Sequence, residues 1–340
     1  LVQRWCCTAC KRDGSMVLHA TSPATSATSE FTSPASKYER LESNIGEGTY
    51  GKVHKAFHVR SGELVAIKKA KESVAERDVG GISFTALREV KVMQAIQHPN
   101  VMTCLDVFVE GRAIHLVMPY MDTDLKKVIE DQAIDLTEAH CKCLARQVLQ
   151  GLEALHERFF VHRDVTPTNV LLSFRTGIAK LSDFGFTRSV SRRPMTTMCT
   201  TLWYRAPELL FGAKYYGTAV DLWSFGCVVA ELVLRKPLFP GRGEFDMLQK
   251  VIERRGTPTE EVWKDVSALP NFLEFTPHPK VPLSDPPFQR VSSAFRAFLD
   301  DLLALDPKQR PKAHKALNHE FFETKVDCEP HQLPFVKGTS

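Results

Sequence analysis

No apolar run in this 340-residue sequence approaches the roughly 18 residues that a membrane-spanning helix needs, so no membrane segment is expected. A strong charge bias is also missing. The 44 basic residues face 40 acidic ones, for a net charge of +4. Chains that bind nucleic acid usually carry a heavier basic excess, so no direct nucleic-acid partner is expected. Nor is there a disulfide or zinc framework. The nine cysteines are scattered, and most sit inside apolar runs, as buried thiols in a reducing compartment do. Cys7 and Cys10 have C-x-x-C spacing, but no second pair follows to complete four zinc ligands. Secretory signals and internal repeats are absent too. The chain opens on Leu1 rather than Met, which suits a natural start further upstream. A chain of this length buries a core large enough to fold without staples, as one bilobal unit or two small domains.

What is present begins with a Ser/Thr/Pro/Ala stretch, "TSPATSATSEFTSPAS". It has too little apolar surface to offset the entropy of ordering, so residues 1–36 are expected to be disordered. From Tyr38 to Lys69 the pattern is strand, glycine turn, strand, Ser61-Gly62 turn and strand. "FTALREVKVMQAI" then spaces Leu87, Val90, Met93 and Ile96 by three, which predicts a helix with those residues as its apolar stripe. Two short apolar runs, Val101–Val109 and Ala113–Met118, complete a small strand-rich lobe over 37–118. Beyond it the pattern turns helical. Thr137 is a capping residue with Glu138 in the first turn, and Cys141, Leu144, Val148, Leu152 and Leu155 form a long stripe. Further helices are expected over Val220–Leu234, Phe245–Arg254 and Ser292–Leu305. This helical lobe takes in 119–325, and 326–340 forms a C-terminal tail. The fold class is α+β: a five-stranded sheet lobe with one main helix and a larger, mainly helical lobe.

Six elements carry chemistry. "IGEGTYGKV" puts Gly46, Gly48 and Gly51 between two strands, where backbone N–H groups can approach phosphates unhindered by side chains. Strands on both sides exclude the strand-to-helix dinucleotide motif. "VAIKK" places Lys68 on a strand and the following helix carries Glu89; a buried lysine needs a carboxylate, and the pair can hold nucleotide α- and β-phosphates. In "VHRDVTPTNVLL", Asp164 is suited to orient and deprotonate an attacking hydroxyl. Asn169 and the Asp183 of "DFG" offer hard oxygen ligands for magnesium. Glu208 of "APE" is a structural partner for Arg310. Each triplet is common by chance, but all six in this order are not.

This set resembles the eukaryotic protein kinases from about Tyr38 to Phe322. "GEGTYGKV", "SFTALRE", "HPN" and "WYRAPELLFGA" are similar to the cyclin-dependent kinases. "TALREVK", "ELLFGAKYYG", "GTPTEEVW" and "HQLP" lean toward the branch that activates other cyclin-dependent kinases and serves the transcription machinery. The resemblance implies ATP and magnesium as cofactors, a cyclin subunit and protein substrates as partners, and a nuclear or cytoplasmic location. Gly46, Glu47 and Gly48 would cover the nucleotide. Ile45, Val53, Ala66 and Leu171 would sandwich its adenine, with Met118 as gatekeeper. Pro119 and Met121 would supply hinge contacts, and Asp124 would reach the ribose region. "SFTALRE" would meet the cyclin, pressing Glu89 inward. Met93, Cys104, His162 and Phe184 would stack into one apolar column.

Arg88, Arg163 and Arg188 come from helix, catalytic loop and activation segment, and three converging cations call for an anion. Alignment back from "WYRAPE" makes Thr196 the phosphorylated residue, with Thr197 a close rival. Thr49 and Tyr50 match positions of inhibitory phosphates. Arg205 would shape a pocket for proline after the acceptor, although Cys199 and Thr200 replace an aliphatic pair there. The main departure is Thr166, where the family carries a lysine facing the transferred phosphoryl group. Losing such a donor costs about 2.7–4 kcal/mol, roughly 10²–10³ in rate. Thr201 would hydrogen-bond near Asp164 and partly compensate. An active but slowed kinase is expected, with an inert cyclin-binding scaffold and a cyclin-sequestering protein as rivals.

Overall fold

The computed structural model describes residues 34–41, 46–48, 51–70, 84–111, 113–191, 193–197, 200–323 and 328–337. The expectations for residues 1–33, for Cys7 and Cys10, and for Ile45, Thr49, Tyr50 and Cys199 lie outside them. A 3-10 turn, Pro34–Lys37, leads into the first strand.

The small lobe is an antiparallel sheet of β1 (Tyr38–Arg40), β2 (Gly46–Gly48), β3 (Gly51–His58), β4 (Leu64–Ala70), β5 (Asp106–Glu110) and β6 (Ala113–Pro119). Its order is β1-β3-β4-β6-β5, with β2 also paired to β3. The expected five strand positions are therefore present, the first one shared by two segments. Gly62 (φ 70°) turns β3 into β4, a conformation that glycine adopts without steric cost. Period-two alternation then sorts side chains between two faces. Val65, Ile67, Val117 and Phe108 form a small outer core with Ala56. Ala66, Lys68, Leu116 and Met118 share the inner face, as the β3–β4–β6 register requires.

Helix α1 (Phe84–Ala95) buries Ala86, Glu89, Val92 and Met93. The expected stripe holds at Met93 and Ile96, which are buried, and at half-buried Val90, but Leu87 stays 38% exposed. The helix is rotated so that Glu89 points inward to its lysine, and that rotation turns Leu87 outward.

The large lobe begins with β7 (Thr123–Asp124) and α2 (Leu125–Glu130). Next comes α3 (Glu138–Glu157), started by a reciprocal cap in which Thr137 accepts the His140 N–H and His140 accepts the Thr137 N–H. Its predicted stripe, Cys141, Leu144, Val148, Leu152 and Leu155, is wholly buried. Three short strands follow, β8 (Phe160–Val161), β9 (Val170–Leu172) and β10 (Ala179–Leu181), then β11 (Arg188–Ser189). Helices α4 (Pro207–Leu210), α5 (Ala219–Leu234), α6 (Glu244–Arg255), α7 (Ser293–Leu302), α8 (Ala313–Leu317) and α9 (Glu320–Glu323) complete it. Helix α5 is apolar and buried along Val220–Leu232, as a central core helix must be. The C-terminal segment returns to this lobe. The Lys337 N–H donates to the Phe174 carbonyl at 2.8 Å, and Phe335 packs on Phe174. Among the described residues no helix is long and apolar enough to cross a membrane.

Candidate active site

The site is built around a turn that α5 holds from below. Asp221, in the first turn of α5, is fully buried. Its carboxylate accepts the backbone N–H groups of His162 and Arg163, both at 2.8 Å, and lies 2.9 Å from His156 Nε2. Arg163 is thereby kept at φ 70°, a left-handed conformation costly for any residue with a Cβ. The Asp164 N–H donates to His162 Nδ1 at 3.3 Å, so Nε2 carries the ring proton and donates to the Ser182 carbonyl at 3.0 Å. This ties the catalytic loop to the strand end that leads into Asp183.

Asp164 has both carboxylate oxygens engaged. The Thr201 N–H and hydroxyl donate to Oδ1 at 2.9 and 3.0 Å, and Asn169 Nδ2 donates to Oδ2 at 2.9 Å. Asn169 Nδ2 also donates to the Asp164 carbonyl at 2.8 Å. That commitment turns the Asn169 amide oxygen away, available as a ligand. Asp183 sits at φ 62°, a second left-handed residue, and its Oδ1 lies 3.7 Å from Lys68 Nζ.

Lys68 Nζ meets Glu89 Oε1 at 2.6 Å. Burial alone would lower the lysine, but Glu89 and Asp183 outweigh it and hold the ammonium protonated. Burial pushes the Glu89 carboxyl up to about 7; Lys68 pulls it back and Asp183 pushes it further up. One ammonium thus serves two carboxylates, a site short of positive charge on the Asp183 side. A divalent cation held by Asp183 and the Asn169 amide oxygen fits that deficit. Among the described residues no three His, Cys, Asp or Glu side chains group as a metal cage, so further ligands would come from phosphate and water.

Of the positions expected to line a nucleotide, Val53, Ala66 and Met118 share the sheet's inner face. Gly46 lies opposite Val53 and Gly48 opposite Gly51. Val53 is opposite Lys68, and Ala66 is opposite Met118, two residues along from the Lys68–Leu116 pair. Leu171 pairs with Asp124 across β7 and β9, and β6 runs into Pro119 ahead of Met121. Asp124, beside Leu171, also caps a helix: its Oδ1 accepts the Lys127 N–H of α2 at 3.0 Å, and Oδ2 pairs with Lys127 Nζ at 3.1 Å. His162 and Phe184 meet edge to face, 5.4 Å between centroids, and Met93 and Cys104 join the same apolar cluster.

Thr166 was expected to leave a hydroxyl donor in place of the lysine. It is buried, 2% exposed, and its hydroxyl shares a 2.8 Å hydrogen bond with Thr168. The loop's own short-range geometry captures it.

At the activation segment, Arg163 Nη2 donates to Thr196 Oγ1 at 3.2 Å, while its buried Nε has no partner among the described residues. Arg88 donates to the Gly185 carbonyl. Arg188 is exposed, its backbone paired to Val161. Of the three arginines, Arg163 is the one whose contact with Thr196 is described. Arg205 bridges Glu244 at 2.5 Å and the Thr200 carbonyl at 2.8 Å. Glu208 and Arg310 form the expected pair through two contacts of 2.7 and 2.8 Å. Sequence reading passed over Asp221 and Tyr216. Asp221 had a usable signal: an acid in the first turn of the most apolar helix must be buried with donors.

The chain matches the protein kinase domain over residues 38–322. It is 42% identical over 306 residues to cyclin-dependent kinase 7 of Dictyostelium discoideum, covering 88% of this chain and 84% of that relative. With cyclin-dependent kinase 7 of Xenopus laevis it shares 41% over 306 residues, 89% of this chain and 86% of the relative. Among solved structures it is similar to the CAK complex of Chaetomium thermophilum bound to ATP-gamma-S, with a TM-score of 0.81 and 36% identity over 88% of this chain and 94% of that one. The paired Lys68–Glu89, the donor-wrapped Asp164 and the Asp183 turn are the parts such an enzyme needs, and this chain belongs to the protein kinase family, among the cyclin-dependent kinases, as an ATP-binding serine/threonine protein kinase.

Proposed function

We propose that the chain is the catalytic subunit of a cyclin complex, passing the ATP γ-phosphoryl group to serine and threonine hydroxyls of protein substrates at a rate limited by Thr166. The observation that carries this reading is Asp164, held by three donors across from a formed Lys68–Glu89 pair. Asp164 orients the acceptor hydroxyl and takes its proton as the new P–O bond forms. Lys68 steadies the nucleotide phosphates and Glu89 keeps Lys68 in place. Asp183 and Asn169 would hold magnesium, which supplies charge neutralisation on the phosphates. Gly46, Glu47, Gly48, Val53, Ala66, Met118, Pro119, Met121 and Leu171 line the nucleotide's place.

A cyclin partner is supported by the outer face of α1, where Phe84 is 70% and Leu87 38% exposed directly behind Glu89. The relatives named cyclin-dependent kinase 7 and the CAK complex neighbour support substrates among other kinases' activation segments or the transcription machinery, reached in the nucleus or cytoplasm. Thr196 is the favoured phosphate acceptor, because the buried Arg163 guanidinium already donates to its hydroxyl. The scaffold and cyclin-sequestering alternatives lose their footing with the metal, base and lysine positions all intact in a chain this similar to relatives named as kinases.

Thr166→Lys tests the reading. A lysine there should raise kcat by roughly 10–100-fold, part of the value of one such donor, in the full chain supplied with cyclin and ATP–magnesium. Zero turnover in both forms sinks it.

A further inference from the structure

Between α4 and α5 runs a short segment that grips the activation segment. The Met195 N–H donates to the Lys214 carbonyl at 2.8 Å, and the Tyr216 hydroxyl donates to the Thr196 carbonyl. The Tyr216 ring also lies under the Arg163 guanidinium, 6.0 Å from its centroid, while Arg163 donates to Thr196 Oγ1. The gripping segment is itself anchored. The Ala213 N–H donates to the Glu208 carbonyl at 2.8 Å, and Glu208 is locked by Arg310.

We infer that Tyr216 is a positioning residue that holds the activation segment in its ordered place before Thr196 carries a phosphate. This deepens, and rests on, the reading of Thr196 as the acceptor. The two devices use different atoms. Tyr216 holds the main-chain carbonyl of residue 196, whereas a phosphate would be attached through the side-chain oxygen and drawn to Arg163. Neither excludes the other, so they act in parallel, and the loss of one is covered by the other. An enzyme with both depends on phosphorylation less than one relying on arginines alone. The Tyr216 ring adds to this by keeping Arg163, at 3% exposure, beside an aromatic face while no phosphate is bound.

The test is Tyr216→Phe in the full chain, which removes the donor and keeps the ring beneath Arg163. Amide exchange of the Arg193–Thr201 region is followed with Thr196 unmodified and with phosphothreonine genetically encoded at 196. In the unmodified chain Tyr216→Phe should speed exchange about three- to tenfold, the worth of one hydrogen bond. The KM for a protein substrate should rise by a similar factor, with KM for ATP and Tm unchanged. With phosphothreonine the variant and the parent should exchange alike. Equal exchange in the two unmodified chains overturns the inference, as does a KM for ATP that rises in step with the protein KM. If Tyr216→Phe loosens the segment but phosphothreonine at 196 does not restore it, the clamp stands and the acceptor reading falls.

Discussion

The two walls of the cleft are held by different kinds of bond. On the large-lobe side, Asp221 is a buried carboxylate accepting backbone N–H groups of its own chain, and Asp164 is tied by three donors. Those partners cannot leave without unfolding the loop. On the small-lobe side, Lys68 and Glu89 meet through flexible side chains from a strand and a helix. The helix presents Phe84 and Leu87 outward, and its acid titrates near neutrality. One wall is set by folding; the other is conditional on where α1 sits. An enzyme switched by a partner needs that division, because a partner acts only on what is free to move.

The largest effect is expected from breaking the fixed wall. Asp221→Ala leaves two buried N–H groups without an acceptor, at about 1–3 kcal/mol each. Urea denaturation should show a loss of about 3 kcal/mol or more, with kcat falling alongside because Arg163 and Asp164 lose their backing. Asp221→Asn, which keeps an acceptor oxygen, should lose clearly less; equal losses would show that charge rather than hydrogen bonding holds the loop.

The conditional wall should answer to pH. Glu89 is raised to about 7, so on acidification it takes up a proton and ceases to hold Lys68 as a counter-charge. The kcat/KM for ATP should fall roughly tenfold per unit below about pH 7. Stability responds in the opposite sense. A carboxyl raised on folding favours the native chain in acid, and that contribution is lost as pH rises from the ordinary carboxylate range through about 7. A pH profile of kcat/KM for ATP that stays flat from 5.5 to 8 would remove Glu89 from the account.

The smallest effect sharpens the comparison within the fixed wall. Thr201→Val deletes one hydroxyl donor to Asp164 but keeps the backbone N–H on the same oxygen. A fall in kcat of about three- to tenfold is expected, with KM for ATP unchanged. A loss of several hundredfold would mean that Thr201, in a loop lacking the usual lysine, does more than orient.

Much of this site was readable from the chain because its parts are local. The glycine turn, the lysine strand, the Asp164-to-Asn169 loop and the Asp183 turn are each short stretches whose chemistry depends on near neighbours. Thr201 beside Asp164 and Glu208 beside Arg310 were also anticipated, from the family's pattern. The stripe of α1 was misjudged at Leu87 because hydrophobic spacing cannot register that an inward-facing glutamate outranks a leucine for the buried face. Nor does spacing show that the Thr166 hydroxyl bonds Thr168 two residues on. Asp221 and Tyr216 were passed over because their partners lie far away in the sequence.

By itself the order of residues determined the two-lobed α+β architecture, the kinase chemistry and the side chains that carry it, since strand, helix and turn preferences and motif spacing act over short range. Which way α1 is turned, what holds Arg163 and Asp183 in left-handed conformations, and what keeps Thr196 in place were decided only by packing. Those features rest on buried donors and acceptors finding partners across the fold, and only the folded chain brings such partners together.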